Sequence, residues 1–549
     1  MWAFCTLCMM DGRMECHCLA AHELPHTTEL YSAFLQDFSR VKKFYAHAPD
    51  WQGARQAAAE VRLAAEVRKG VCEVLREQNA ARGAGPDVTR NIDLLAAGAV
   101  AVVTGQQVGL FGGPAYSFYK ALTAVALADK LSQGGVAAVP VFWLASEDHD
   151  LAEVNHCYWH AGGTLERLEL QPEVNAEGRS VGRVPLGGGV TEVAARAADL
   201  LEGQSREWVA GALEKSYTAR ETFSTAFGRL VTRMLAGRGL ILLDPLDARL
   251  HRLAAPVYAQ ALERRESLTE ALLRRNQELE KAGFHAQVKV TVRSTLLFWE
   301  VEGKRVALRQ SGGQLAAGGA KLSESELRDA LGAAPEGFSA NALLRPVVQD
   351  ALLPTAACVA GPAEIAYLAQ SQVIYEALLG RMPAVLPRAG FTLVDAHASK
   401  LLMRYGLSVQ DVMGSRQAVR RRMEQASLPK GLAQQFAKGE KELAAMLRRF
   451  RAPLRKLDHT LEGALDTAER KMMYQLLKLR SKAGRAENQR GGVLDRHERA
   501  LLDTLYPHHA PQERTHSLLP WLARYGPALL EDLASRAARG GAQHQVLFL

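Results

Sequence analysis

Thr104-Gly105-Gln106-Gln107-Val108-Gly109-Leu110-Phe111-Gly112-Gly113-Pro114 follows a continuously apolar run at residues 99–103 and precedes a helical pattern reaching to about 131. The run reads as a buried strand, the glycines as a turn and Pro114 as the first helical position, where its missing N–H costs nothing. A second apolar run at 139–144 ends in Ser146-Glu147-Asp148-His149-Asp150. Strand, glycine loop, helix, strand, charged loop is a βαβ unit, and such units carry their chemistry at the carboxyl ends of the strands. The chain is therefore expected to be α/β.

Gly105, Gly109, Gly112 and Gly113 let backbone approach a ligand closely, and free N–H groups at a helix start favour phosphate or carboxylate. Gln106 and Gln107 add side-chain donors, and Lys120 lies two turns into the helix. No Gly-Lys-Ser/Thr follows, so this is not a Walker A loop, and the glycine spacing is not GxGxxG. A tight turn with no ligand is the plainer alternative. In the charged loop, Glu147, Asp148, His149 and Asp150 suit either Mg²⁺, which takes oxygen ligands, or general-base and amine-anchoring work. Solvated loop charge would look the same, and Asn155 and His156 stand close behind. A third stretch sets Arg345, Gln349 and Asp350 among apolar residues, with Gly361-Pro362-Ala363-Glu364 downstream. Arg345 suits a carboxylate ligand, or a buried ion pair with Asp350 or Glu364. Cys358, between these pieces, reads as a core residue.

The composition bounds the rest. At ~150 residues per domain, 549 residues give two to four units. The chain is 48% hydrophobic and 23% charged, which excludes a mainly disordered protein. No apolar run approaches the ~18 residues of a membrane span, and no secretory leader is legible, so a cytoplasmic protein without membrane partners is expected. Of seven cysteines, Cys5, Cys8, Cys16 and Cys18 crowd the N-terminus. With His17 they could hold zinc, although residues 1–23 read rather as an extension upstream of the true start. The net charge of +8 is concentrated at 431–490, where 14 Lys or Arg face 7 Asp or Glu. A solvated helix face accounts for that better than a nucleic-acid partner does.

Along the chain, residues 31–75 read as helical. Glycine-punctuated sequence after 160 reads as an inserted lobe, followed by helices over 207–236, a strand at 240–243 and a long helix over 247–282. Strands are predicted at 287–292, 296–301 and 305–310, with weaker ones at 385–386 and 391–394. From 396 the pattern is helical for about a hundred residues. Leu443, Phe450, Leu457 and Ala464, and likewise Leu447, Leu454, Leu461 and Ala468, step by seven. A coiled coil is expected there, kinked at Pro453; a hairpin folded back on its own domain is the alternative. The part from 501 onward reads as a smaller helical end.

TGQQVGLFGGPAYSFYKALTA (104–124), VPVFWLASEDHD (139–150), LLRPVVQDALLP (343–354), AGPAEIAYLAQ (360–370) and PQERTHSLL (511–519) together resemble, in order, the BshC-type cysteine ligase family of bacillithiol biosynthesis. The likeness runs from about 24 to the C-terminus. It implies a Rossmann-like core related to class I nucleotidyltransferases and synthetases, with connective insertions, plus an α-helical coiled-coil domain that pairs two chains. The expected organisation is an extension at 1–23 and core at 24–160, then an insertion at 161–235. The remaining core with a second small insertion follows at 236–395, the coiled coil at 396–505, and a C-terminal segment packing on the core at 506–549.

The implied reaction joins the carboxyl of cysteine to the amine of glucosaminyl-malate, completing the thiol. Such a condensation needs activation, so ATP and Mg²⁺ are expected. In that picture the loop from Thr104 to Gly113 and Lys120 stabilise anionic oxygens. Asp148 and His149 orient or deprotonate the amine, Glu147 and Asp150 contact it or a metal, and Arg345 clamps the malyl carboxylate. Tyr116, Asn155, Gln349, Asp350 and Glu364 complete the substrate site, and Gln512, Glu513 and Arg514 are candidate nucleotide contacts. The chain departs from the class I pattern in having neither HxGH after the first strand nor KMSKS; Gln106-Gln107 stands in the first position. A non-catalytic coiled-coil scaffold on a degenerate nucleotide-binding core is the alternative function.

Overall fold

The computed structural model describes residues 16–311, 314–428, 430–488 and 492–549. Five parallel strands form the central sheet: β1 (Val100–Gln106), β2 (Ala138–Leu144), β3 (Ile241–Leu243), β4 (Thr355–Ala360) and β5 (Ala384–Pro387). Their order is β5-β4-β1-β2-β3. The chain grows outward from β1 first on one side and then on the other, so the order reverses between β1 and β4. Crevices at such reversals, outside the carboxyl ends of the strands, are where open α/β sheets bind ligands. Every residue of β2 is buried, as parallel strands covered on both faces require. Pro140 sits one residue before β2 begins to pair with β3 at Val141. Gly105 is required by contact: a Cβ there would lie 2.8 Å from the Trp143 carbonyl oxygen on β2.

The connections are α1 (Tyr116–Gln133), after β1, and α2 (Pro362–Leu378), after β4. Helix α1 is buried on nearly all sides, between the sheet and the helix Leu519–Ala537. It begins two residues later than Pro114 suggests, because the Ala115 N–H donates to the His516 carbonyl at 2.7 Å and Gly113 is left-handed at φ 65°.

Elsewhere the sequence pattern and the structure part in instructive ways. The helix expected over 31–75 is three helices, Glu29–Gln36, Trp51–Glu60 and Ala65–Arg82, with an Asp50 cap on the second. The long helix from 247 breaks at Arg264 into Ala248–Glu263 and Arg265–Lys281. The strand expected at 287–292 is irregular, because the buried Gln370 side chain takes both the N–H and the carbonyl of Val288, the groups a neighbouring strand would use. An antiparallel sheet does form between β3 and β4, ordered 320–322, 314–317, 304–311, 294–301 and 338–340. The insertion after β2 is a hairpin, His156–Ala161 with Thr164–Glu169, followed by three helices.

A third sheet joins distant parts of the chain: Cys16–Leu19 pairs with His544–Phe548, which pairs with Gly390–Val394. Residues from Cys16 onward are thus part of the fold, where an extension to 23 was expected, and the strand at 544–548 falls in what read as a helical end. The zinc reading rests on Cys5 and Cys8, which lie outside the described residues; among the described residues no group of three His, Cys, Asp or Glu is placed to hold a metal.

The heptad pattern resolves into a hairpin of α3 (Lys430–Leu457) and α4 (Leu461–Asn488). The steps from Leu457 to Ala464 and from Leu454 to Leu461 cross the three-residue turn, so one unbroken stripe does not exist. Ion pairs of Arg480 with Glu440, at 2.9 Å, and of Arg451 with Asp466 tie the two helices antiparallel. Helix α3 runs through Pro453.

Candidate active site

A cleft of about 980 Å³ opens at the carboxyl ends of β1, β2 and β4. Its walls bring together most of what the sequence singled out: Gly105, Gln106, Gln107, Tyr116, Lys120, Glu147, Asp148, His149, Arg345, Glu364 and Arg514. The glutamine turn and the acidic turn touch directly. The Gln107 Nε2 donates to Asp148 Oδ2 at 2.8 Å and also reaches Glu153.

Lys120 is the hub between β1 and β4. Its Nζ donates to the Gly105 carbonyl at 2.7 Å and to Gln106 Oε1 at 2.9 Å, and pairs with Glu364. Burial pulls its ammonium below the usual lysine range, and Glu364 opposes that pull. All three donors are therefore spent inside the protein, and Lys120 is not the free anion-binding cation expected of it. Gln106 is fixed too, donating to the Tyr116 hydroxyl at 3.2 Å, while the Arg388 guanidinium lies 5.4 Å from the Tyr116 ring centre.

The glycine loop is corrected more sharply. Gly109, Gly112 and Gly113 lie outside the cleft. Their N–H groups go to the carbonyls of Gln107, Gly109 and Leu110, and the Tyr217 hydroxyl takes a further share of Gly112. Val108, Leu110 and Phe111 are fully buried beneath it. The loop is a packed turn, not a cradle, because the helix start it leads to is already capped by the His516 carbonyl. Thr104 is likewise structural: its hydroxyl donates to the Val359 carbonyl of β4 at 2.8 Å.

In the acidic turn, Asp148 also accepts from the His149 N–H at 2.8 Å. Arg305, from the antiparallel insertion, stands 3.2 Å from His149 Nδ1. Arginine can only donate, so Nδ1 accepts and the imidazole N–H is left at Nε2. Arg305 is itself held by Ser339, the Ala340 carbonyl and the Phe298 ring. Asp150 is exposed and outside the cleft, and Asn155 is buried against Glu169, so neither belongs to the site; His156 does line it. With Asp148 engaged and Asp150 turned away, the metal reading of this turn is not supported.

Arg345 donates to Gln349 Oε1 at 3.1 Å and to the Tyr367 hydroxyl at 3.0 Å, both neutral. It pairs with neither Asp350 nor Glu364. Gln349 and Asp350 are buried behind it and away from the cleft, and burial pushes the Asp350 carboxyl up. Burial also pushes the Cys358 thiol up; the residue is half-buried and packs against the core rather than within it. Gln512 and Glu513 do not reach the cleft. Gln512 is bonded to Leu393 and Thr504, and Glu513 forms a buried fork with Arg388 at 2.9 and 2.6 Å. Their neighbour Arg514 does reach it, and with Lys289 and Arg309 it forms a rim of exposed cations that make no ion pair among the described residues. Sequence reasoning missed Arg305, Arg388, Lys289 and Arg309, which sit in no motif and reach the site only through the tertiary fold.

A 3-2-1-4-5 parallel sheet with a cation-rimmed cleft at its reversal defines a Rossmann-like protein. The comparisons place it more narrowly. Residues 14–389 match the family model described as Bacillithiol biosynthesis BshC, N-terminal Rossmann-like domain, and residues 391–549 match Bacillithiol biosynthesis BshC, C-terminal coiled-coil domain. The chain belongs to this family. Relatives named "Putative cysteine ligase BshC" include that of Koribacter versatilis, 38% identical over 96% of this chain and 99% of the relative. The corresponding protein of Solibacter usitatus is 38% identical over 94% of this chain and 97% of its own length. That of Geobacillus thermodenitrificans is 29% identical over 96% and 99%.

Proposed function

We propose that the chain is an ATP-dependent ligase that forms the amide bond between the carboxyl of cysteine and the amine of glucosaminyl-malate, the last step of bacillithiol synthesis. The observation that carries this reading is Arg345: a guanidinium on the cleft wall, hydrogen-bonded only to neutral groups and lacking a carboxylate partner among the described residues. A substrate carboxylate, such as that of the malyl group, completes its fork. The relatives' name supplies the reaction class.

In this reading Lys289, Arg309 and Arg514 hold the phosphates of the nucleotide, which supplies the activation of the cysteine carboxyl. Mg²⁺ would be carried by the phosphate oxygens of the nucleotide, whose charge it would offset. His149 donates from Nε2 to the carbonyl oxygen of the activated carboxyl as it gains charge, held in that tautomer by Arg305. Lys120, Glu364 and Gln106 fix the switch-point geometry without touching the reacting atoms. Holding the two reactants side by side supplies much of the acceleration.

The hairpin of α3 and α4 is assigned to pairing of two chains. Phe450, Leu457, Tyr474 and Leu479 are exposed on it, an apolar display that a second copy would cover.

The test is the reaction itself. Purified protein given cysteine, glucosaminyl-malate, ATP and Mg²⁺ yields bacillithiol by mass spectrometry, with one ATP consumed per product. A folded protein that consumes no ATP and forms no product under these conditions refutes the assignment. In cells, loss of the gene removes bacillithiol and leaves glucosaminyl-malate to accumulate.

A further inference from the structure

Behind the cleft lies a pair of groups that the roles above leave unused. Glu147, at the end of β2, lines the large cleft and also a cavity of about 10 Å³ on its far side, about the room of one water molecule. His251, on the helix Ala248–Glu263, lines the same small cavity and is 3% exposed. Glu147 Oε1 and both ring nitrogens of His251 are buried without a hydrogen-bond partner. Buried polar atoms are nearly always paired, because each orphan costs about 1–3 kcal/mol. Three orphans in one place, none of them at the surface, mark a site kept for a task other than stability.

Glu147 Oε1 and His251 Nε2 stand 3.6 Å apart, just beyond hydrogen-bond range. A proton arriving on Glu147 supplies the donor that His251 can accept. The neighbours give the route a direction. Asp148 is already bonded to Gln107 and to the His149 N–H, and His149 Nδ1 is taken by Arg305, so of the two carboxylates of the acidic turn that line the cleft Glu147 is the one with an oxygen to spare. On the far wall of the small cavity, Arg183 pairs with Glu300 at 3.0 Å, both partly exposed, which brings the path to solvent. The charged and titratable groups facing the pair are Arg305 and Glu336 from the insertion and Tyr258 from the His251 helix.

We propose that Glu147 and His251 form a proton relay that carries the proton lost by the attacking amine out of the cleft into the small cavity behind it. This rests on the amide-forming reaction proposed above. The amine nitrogen forms the new C–N bond with its lone pair, and the leaving group departs from the carboxyl carbon with the electrons of its own bond. The surplus proton on nitrogen passes to the Glu147 carboxylate and from there to the His251 imidazole, which becomes imidazolium and later releases it to solvent. Glu147 touches the substrate; His251 acts only through Glu147.

The test has two arms. In the first, His251→Gln, which keeps the side chain polar and near the same size, lowers kcat about 10-fold or more while KM for both substrates stays within 2-fold. In the second, ¹⁵N-histidine-labelled wild-type protein and Glu147→Gln are compared by NMR at one pH. The His251 ring ¹⁵N signals differ between the two, because the group facing Nε2 has changed. Full turnover in a folded His251→Gln, or His251 signals indifferent to Glu147→Gln, overturns the relay. If His251→Gln fails to fold, the second arm decides by itself. A wild-type enzyme that is active while either arm fails sinks the relay and spares the ligase. A wild-type enzyme that forms no product sinks both.

Discussion

Breaking the Lys120–Glu364 pair is expected to weaken the fold before it affects chemistry. The Lys120 side chain is 4% exposed and that of Glu364 is 20% exposed, so screening by water is slight. Removing one partner of a buried pair leaves the other charge uncompensated, typically at a cost of ~3–5 kcal/mol. Glu364→Gln leaves the Lys120 ammonium with two neutral acceptors, the Gly105 carbonyl and Gln106 Oε1, which places it near the low end, at about 3 kcal/mol. Lys120→Met keeps the aliphatic stem, and Glu364 retains the Gly361 N–H at 2.8 Å, so about 2 kcal/mol is expected.

The double variant should cost little more than the worse single one, giving a coupling of ~1–3 kcal/mol. Urea unfolding followed by tryptophan fluorescence, with Trp143 on the adjoining strand β2, reads this directly. The pH dependence adds a second check. The folded-state pKa of Lys120 is lowered by burial, so between the folded and unfolded values the unfolded chain binds the extra proton and stability rises with pH. Glu364→Gln removes the attraction that opposes burial, so its deficit should shrink as pH rises from neutrality toward 10. Two singles each within 1 kcal/mol of wild type, with additive effects and no recovery at high pH, would refute the picture of a strained buried cation at the switch point.

Three further expectations can be checked alongside. His149→Ala should lower turnover by about 100-fold or more and shift the melting temperature by less than about 2 °C, since the ring is partly exposed; a large drop in melting temperature would make it a structural histidine. His160 and His516 stack with Trp521, and burial lowers their pKa values to about 4 and about 3. The folded protein should therefore lose stability as pH falls from about 6.5 toward 4, and His160→Phe should flatten that slope in chemical denaturation. Replacing Phe450 and Leu479 together by Ser should convert dimers to monomers in sedimentation analysis without changing the helical signal; a wild-type protein already monomeric at micromolar concentration would remove the pairing assigned to the hairpin.

The βαβ unit was legible because its strands are unbroken apolar runs and its loops are chemically distinctive. The two loops do share one cleft. The glycines misled in their function, since a turn that must let Phe111 and Leu110 dive into the core needs the same conformational freedom as a phosphate cradle. Whether the Ala115 N–H at the helix start stays free depends on His516, some four hundred residues away. The heptad steps across residues 458–460 misled because a seven-residue period continues by chance through a three-residue turn. Arg305 and Arg388 were invisible for the opposite reason. Each is a lone cation in an unremarkable stretch, given meaning by the Phe298 ring and by Glu513, and no local pattern encodes such partners.

The strand at 544–548 lies between Cys16–Leu19 and Gly390–Val394, and the segment Gln512–Arg514, one helix earlier, delivers Arg514 to the cleft and Glu513 to Arg388. During synthesis the five-stranded sheet can close once residue 387 has emerged, but the ligand cleft cannot. An unfinished chain on the ribosome would expose an open, uncapped α1 start and an Arg388 with no counter-charge. Truncation before residue 512 should therefore leave the five-stranded sheet with a cleft that lacks Arg514 and an Arg388 that lacks Glu513.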